Sequence, residues 1–219
     1  CWRSKKEICY PWEQATYLFS GFWQTWSLLR QKKYDLCYTH FIIPTGFLAL
    51  IVKFFFKLDY IITSHGSDVL GYNPRFKKLY PFLQYPWKKI LDHARLITSP
   101  TNFLKQEILK VHPSLSPDKI AVIPNGIAAG KFLPLSKEKY ILLVSRLTVN
   151  KGIQDFIEAI KDVDLKDWQV KIVGEGPYRP VLEKMVKEYN LSARITFLGW
   201  VDNQSQQMKE LYGHAALFV

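Results

Sequence analysis

Short apolar runs alternate along this chain with stretches in which apolar residues recur every three or four positions. The runs at 35–39, 60–63, 95–98, 119–123, 140–144, 168–173, 194–197 and 215–219 have the length and composition of strands. Helical spacing predicts helices over 12–30, 44–57, 152–160, 178–189 and 204–212, with one more after Thr101, a helix-capping residue. In the 152–160 stretch the apolar set is Ile153, Phe156, Ile157 and Ile160. Residues 75–92 carry Pro81 and Pro86, which predicts a broken helix or loops. Strands alternate with helices on both sides of a connector near 127–138. That order is the mark of parallel sheets in α/β layers, here in two domains, residues 1–135 and 136–219.

The composition, 48% hydrophobic and 22% charged over 219 residues, is that of a globular chain with one large or two small cores. Residues 41–56 are very apolar. They hold Pro44 and Lys53 and fall short of the roughly 20 residues of a membrane span, so a buried helix is expected. Cys1, Cys9 and Cys37 cannot all pair and show no metal-ligand spacing, which points to a reducing compartment, the cytoplasm. No signal-peptide pattern opens the chain.

Charge changes the picture more. Residues 1–135 carry 18 Lys and Arg against eight Asp and Glu, whereas residues 136–219 carry 12 against 11. A basic half joined to a neutral half points to an anionic partner for the first. Segments 12–33 and 75–89 mix aromatic residues with lysine and arginine. That mixture suits an anionic membrane surface, met peripherally at the inner face, and it equally suits a core helix with solvated lysines. No nucleic-acid motif is present, so no nucleic-acid partner is expected.

Ligands on parallel sheets bind at the carboxyl ends of the strands, where His65, Asn125, Arg146, Gly174 and Val201 fall. Ser145, Arg146, Lys151 and Gly152 share one strand-to-helix turn. Helix N-termini suit phosphate oxygens, and an arginine fork with a lysine point charge suits a pyrophosphate. A solvated pair of cations is the plainer alternative. In Ser64-His65-Gly66-Ser67-Asp68, Gly66 permits a sharp turn and His65 can hydrogen-bond a hydroxyl or pack under a loop. Serines beside His65 in sequence do not make a triad, which needs geometry in space. Val173-Gly174-Glu175-Gly176-Pro177 lets backbone approach a ligand or simply turns tightly. It lacks the full dinucleotide fingerprint. Trp200, after Gly199, is a shelf for a base or a core tryptophan. No His, Cys and Asp cluster has metal spacing.

Taken in order, five motifs form a specific set. They are Ser64-His65-Gly66-Ser67-Asp68-Val69, Ile123-Pro124-Asn125-Gly126-Ile127, Val144-Ser145-Arg146-Leu147 with Lys151-Gly152, Val173-Gly174-Glu175-Gly176-Pro177, and Phe197-Leu198-Gly199-Trp200-Val201. The set resembles the family 4 (group 1) glycosyltransferases of the GT-B fold, over about residues 34–219. The resemblance implies two Rossmann-like domains facing a cleft, an acceptor-side first domain and a nucleotide-sugar-binding second domain. It implies transfer of a sugar from a nucleotide-sugar co-substrate to a glycan or lipid-linked acceptor, as in cell-envelope polysaccharide synthesis. Retention of configuration is implied, with no metal and no cofactor. Carried over by position, His65, Arg146 and Lys151 are the catalytic set. Gly66, Asp68, Asn125, Gly126, Ser145, Gly174, Glu175, Trp200 and Val201 would hold the donor. The family's glycine-rich loop is expected before residue 1, and its two glutamates, separated by seven residues, after Val219. Both domains are therefore expected to be incomplete, and residues 1–219 alone inactive. Two other readings remain open: an inactive relative serving as a membrane-associated partner, and a nucleotide-sugar epimerase on the same fold.

Overall fold

Each predicted strand forms, and every pairing is parallel. The computed structural model describes residues 11–71, 80–127, 130 and 133–219. The chain divides into two compact units, Cys1–Gly126 and Ile127–Val219.

In the first unit, β1 (Cys37–His40), β2 (Tyr60–Thr63), β3 (Leu96–Ser99) and β4 (Ile120–Val122) lie in that order in one sheet. Its helices are α1 (Pro11–Gln31), α2 (Thr45–Phe56), α3 (Tyr80–His93) and α4 (Asn102–Val111). Tyr60, Ile62, Trp87, Ile90, Ile97 and Ile108 are its fully buried centre. The Thr101 hydroxyl caps α4 as expected, accepting from Leu104 N at 3.1 Å.

In the second unit, β5 (Glu138–Val144), β6 (Gln169–Val173), β7 (Ile195–Gly199) and β8 (Ala215–Phe218) form a sheet ordered β7-β6-β5-β8. Alternation along β5 sends Leu143 to one face and Tyr140 and Leu142 to the other. Helices α5 (Ile153–Ile160) and α6 (Arg179–Glu188) cover the first face, and α7 (Gln206–His214) the second. Ile153, Ile157 and Ile160 are the buried stripe of α5, with Phe156 packed beside them.

Two expectations need correction. The described part of the 75–92 stretch is a continuous helix, α3, with Pro86 inside it; residues 75–79 lie outside the described residues. Pro81 falls in the first turn, where a proline is tolerated. Pro86 removes only the hydrogen bond to the carbonyl of Phe82, itself in the first turn and 80% exposed, where water can accept. Burial of Trp87, Ile90 and Leu91, with Trp87 Nε1 donating to Asp68 O at 2.8 Å, outweighs that loss. Helix α2 is only half-buried. Gly46, Ala49, Leu50 and Val52 face inward, while Phe47, Phe54 and Phe55 remain exposed.

Candidate functional site

The turn after β5 is held from one side by the turn after β6. Ser145 N donates to Val173 O at 3.1 Å, Leu147 N to Glu175 O at 2.9 Å, and Tyr178 N to Leu147 O at 3.1 Å. The two glycines make this contact possible. A Cβ on Gly174 would lie 1.8 Å from Ser145 O, and one on Gly176 would lie 2.2 Å from Leu147 O. What their backbone approaches is thus the Arg146 turn, a reason absent from the sequence reading. On the far side Gly174 N donates to Gly199 O at 2.7 Å. The ends of β5, β6 and β7 are tied into one row. It carries Ser145 and Arg146, then Gly174 and Glu175, then Trp200 and Val201.

Within this row the side chains differ in availability. Trp200 is 72% exposed, while Val201 turns inward against Met208 and Leu211. Glu175 Oε1 accepts from Arg179 at 2.6 Å, and Arg179 Nε reaches Glu183 at 2.7 Å. Arg146 and Lys151 are exposed, and no carboxylate among the described residues pairs with either. Two charges left in solvent on a braced turn are poised for an anionic ligand. Between them the chain forms a short 3₁₀ turn, Val149–Lys151. Gly152 at φ 72° then turns it into α5 in the left-handed conformation that glycine allows.

In the first unit, by itself, the candidate residues lie on the loops after β2 and after β4. Asp68 is the buried centre of the first of these loops. One carboxylate oxygen accepts from Ile42 N at 2.7 Å. The other accepts from Ser64 Oγ at 3.1 Å and His65 N at 3.0 Å. Ser64 therefore serves Asp68 and not His65, and among the described residues no triad forms here. Gly66 is buried with φ 95°, which explains the glycine. His65 itself is exposed. Its Nε2 lies 2.9 Å from Nδ1 of His40, and the two rings are near parallel, 24° apart, with centroids 5.2 Å apart. The Phe41 ring lies 4.7 Å from it, on a residue held at φ 70°, an unusual value for a bulky side chain. Asn125 and Gly126 are exposed after β4, two strands from β2.

Sequence reasoning missed His40, Phe41 and Arg179. The histidine had a signal. β1 and β2 pair in register with His40 opposite Thr63, so His40 and His65 leave adjacent strand ends.

Among the described residues no group of three or more His, Cys, Asp or Glu is arranged to hold a metal ion, and no helix is long and apolar enough to cross a membrane.

A family model described as Glycosyltransferase Family 4 matches residues 5–130, and one described as Glycosyl transferases group 1 matches residues 129–219. The chain belongs to the family 4, group 1 glycosyltransferases. Among glycosyltransferase relatives, the uncharacterized MJ1178 of Methanocaldococcus jannaschii is 26% identical over 184 residues, 84% of this chain and 49% of that protein. The gpi3 subunit of the phosphatidylinositol N-acetylglucosaminyltransferase of Schizosaccharomyces pombe is 34% identical over 110 residues, 47% of this chain and 24% of that protein. The glycosyltransferase chain thus spans about half or less of the length of these two relatives. Alr3699/HepE of Anabaena, solved in complex with UDP, superposes with a TM-score of 0.70 at 15% identity, over 94% of this chain and 55% of that one. That likeness shows the fold, GT-B, with its two Rossmann-like parallel-sheet units.

Proposed function

We propose that the protein transfers a sugar from a nucleotide-sugar to a glycan or lipid-linked acceptor in the synthesis of a cell-envelope or surface polysaccharide. The observation that carries this reading is the turn after β5, with two exposed cations that no described carboxylate neutralises. As the bond from the sugar to its phosphate breaks, negative charge builds on the departing diphosphate and positive charge on the sugar. Arg146 and Lys151 stabilise that negative charge more in the transition state than in the ground state, which lowers the barrier. They take the place that a divalent ion fills in other transferases, and the transfer proceeds with retention. Ser145, Gly174 and Glu175 hold the nucleotide, and Trp200 stacks on the base with the backbone of Val201 beside it. Gly66, Asn125 and Gly126 offer backbone and amide contacts to the donor. His65 hydrogen-bonds the donor sugar, and Asp68 holds its loop. The likeness to an Anabaena protein solved with UDP supports a nucleotide donor.

Thermal shift against a panel of nucleoside diphosphate-sugars tests the donor. Stabilisation by at least one of them, and not by the free sugar, is expected; stabilisation by none would overturn the reading. Turnover is expected to survive EDTA and to give a product of unchanged anomeric configuration by NMR. Inversion, or loss of turnover restored by a divalent ion, would overturn those two points.

The acceptor is reached from an anionic membrane surface, met by the first unit. Exposed rings stand on three of its helices: Phe19 and Trp23 on α1, Phe54 and Phe55 on α2, and Phe82 and Tyr85 on α3. Lys57, Lys88 and Lys89 lie among these helices and their ends. Aromatic rings and lysines together suit the headgroup layer. The phosphatidylinositol in the name of the fission-yeast relative supports a lipid acceptor. Pelleting with vesicles of anionic lipid is expected at low ionic strength and not at about 1 M salt, where the screening length is roughly 3 Å. Failure to pellet with anionic vesicles at low salt would remove the membrane from the account.

A further inference from the structure

His40 was assigned nothing by sequence, yet the structure builds it into the one loop that presents His65. Register places it at the end of β1, opposite Thr63, so its ring falls beside the first exposed residue after β2. Five hydrogen bonds then fix that geometry. Phe41 N donates to Thr63 O at 2.8 Å. Ile42 N donates to Asp68 at 2.7 Å, and the same carboxylate holds His65 N at 3.0 Å. Thr45 Oγ1 donates to the carbonyls of both His40 and Phe41. On its other side the His40 ring meets Tyr38 edge-on, with centroids 4.8 Å apart, and the Tyr38 hydroxyl bonds Thr63 Oγ1 at 2.7 Å. The backbone of 40–42 and the backbone of 63–68 are thus one frame, and the two imidazoles face each other across it.

A nitrogen-to-nitrogen hydrogen bond of 2.9 Å has one donor and one acceptor, so the tautomers of His40 and His65 are coupled. When His40 Nδ1 donates, His65 carries its proton on Nδ1 and offers a donor there. When His40 Nδ1 accepts, His65 Nδ1 is an acceptor. In either state Nε2 of His65 is occupied and Nδ1 is the nitrogen left for a ligand, while Phe41 limits ring rotation.

We propose that His40 is a positioning residue for the transfer reaction: it holds the His65 ring through Nε2 and couples the two tautomers, and so leaves His65 Nδ1 as the nitrogen that hydrogen-bonds a hydroxyl of the donor sugar. The proposal rests on the reading of His65 given above. Removing the partner of a metal-bound imidazole costs about ten- to a hundredfold, and the lower end of that range is the effect expected here.

Two variants of the protein separate the chemistry from the packing. His40→Phe keeps an aromatic ring and removes the nitrogen. His40→Asn keeps a polar atom near the position of Nδ1. His40→Phe is expected to lower kcat about tenfold or more with KM for the donor changed less than about twofold. In long-range nitrogen–proton NMR spectra the Nε2 shift of His65 is expected to move as its hydrogen bond to His40 is lost. His40→Asn is expected to restore kcat to within about threefold of the native value and to return the His65 Nε2 shift toward its native position. If His40→Phe leaves both kcat and the His65 nitrogen shifts unchanged, the proposal is wrong; should that variant fail to fold, the His65 Nε2 shift in His40→Asn decides alone, a hydrogen-bonded Nε2 supporting the proposal and a solvent-exposed one overturning it. His65→Ala is the control for the underlying reading. Unchanged turnover in that variant would discard the role of His65, and the nitrogen-shift measurement would still judge whether His40 holds the His65 ring.

Discussion

In the full-length protein, replacing Arg146 with alanine is expected to lower kcat by about 10²-fold or more while leaving the melting temperature where it was. The two halves of this expectation come from the same observation. The Arg146 side chain is exposed and no described residue neutralises it, so folding does not use it. Its backbone, in contrast, is tightly held: Ser145 N and Leu147 N on either side both donate to the turn after β6. A charge on a rigid mount, unspent in the fold, has its energetic effect only when an anion arrives. Arg146→Lys is expected to recover only part of the loss, because an ammonium cannot make the paired contacts of a guanidinium. Steady-state kinetics with a saturating donor, alongside a melting curve, checks both halves. Unchanged turnover in the alanine variant would show that the diphosphate is gripped elsewhere. A melting temperature that collapsed would show that the arginine belongs to the fold.

How far the site was legible depended on whether its cause lay in a local stretch or across strands. The 140–144 run read as a strand because five consecutive apolar residues need burial on both faces, and the two cores on either side of β5 supply it. The α5 helix read from its own spacing for the same reason. The helix-breaking signal of Pro86 is local, whereas the burial of Trp87 that overrides it is set by partners such as Asp68, 19 positions earlier. Asp68 read as a donor-binding residue, whereas the structure occupies both of its oxygens within the unit, one of them with the amide of Ile42, 26 positions away. His40 stayed hidden because its meaning depends on the register between β1 and β2, which no periodicity encodes. The two glycines after β6 were visible as glycines, but what they make room for is a turn some 30 residues upstream, brought alongside only by the pairing of β5 with β6.

Those glycines carry the other large expected effect. Gly174→Ala is expected to destabilise the second unit by about 3 kcal/mol or more, and to weaken nucleotide-sugar binding in whatever fraction stays folded. A Cβ at this position would sit 1.8 Å from Ser145 O and 2.9 Å from Ser145 C. Neither is the end of a flexible side chain, so the relief must come from the backbone. That backbone is pinned on both sides, by Ser145 N to Val173 O at 3.1 Å and by Gly174 N to Gly199 O at 2.7 Å. The φ of 133° adds strain for any residue with a side chain, whatever room is made. The displacement that relieves the clash pushes Ser145, and with it the mount of Arg146, so stability and binding should fall together. Gly126→Ala is the matched comparison: nothing lies within 4 Å of a Cβ there, and a stability change within about 0.5 kcal/mol is expected. Urea unfolding of the two variants, followed by isothermal titration with a nucleotide-sugar, measures both quantities. A Gly174→Ala protein as stable as the Gly126→Ala protein would mean that the turns after β5 and β6 do not touch as described. One that lost stability but bound the nucleotide-sugar with native affinity would detach the brace from the site it is said to serve.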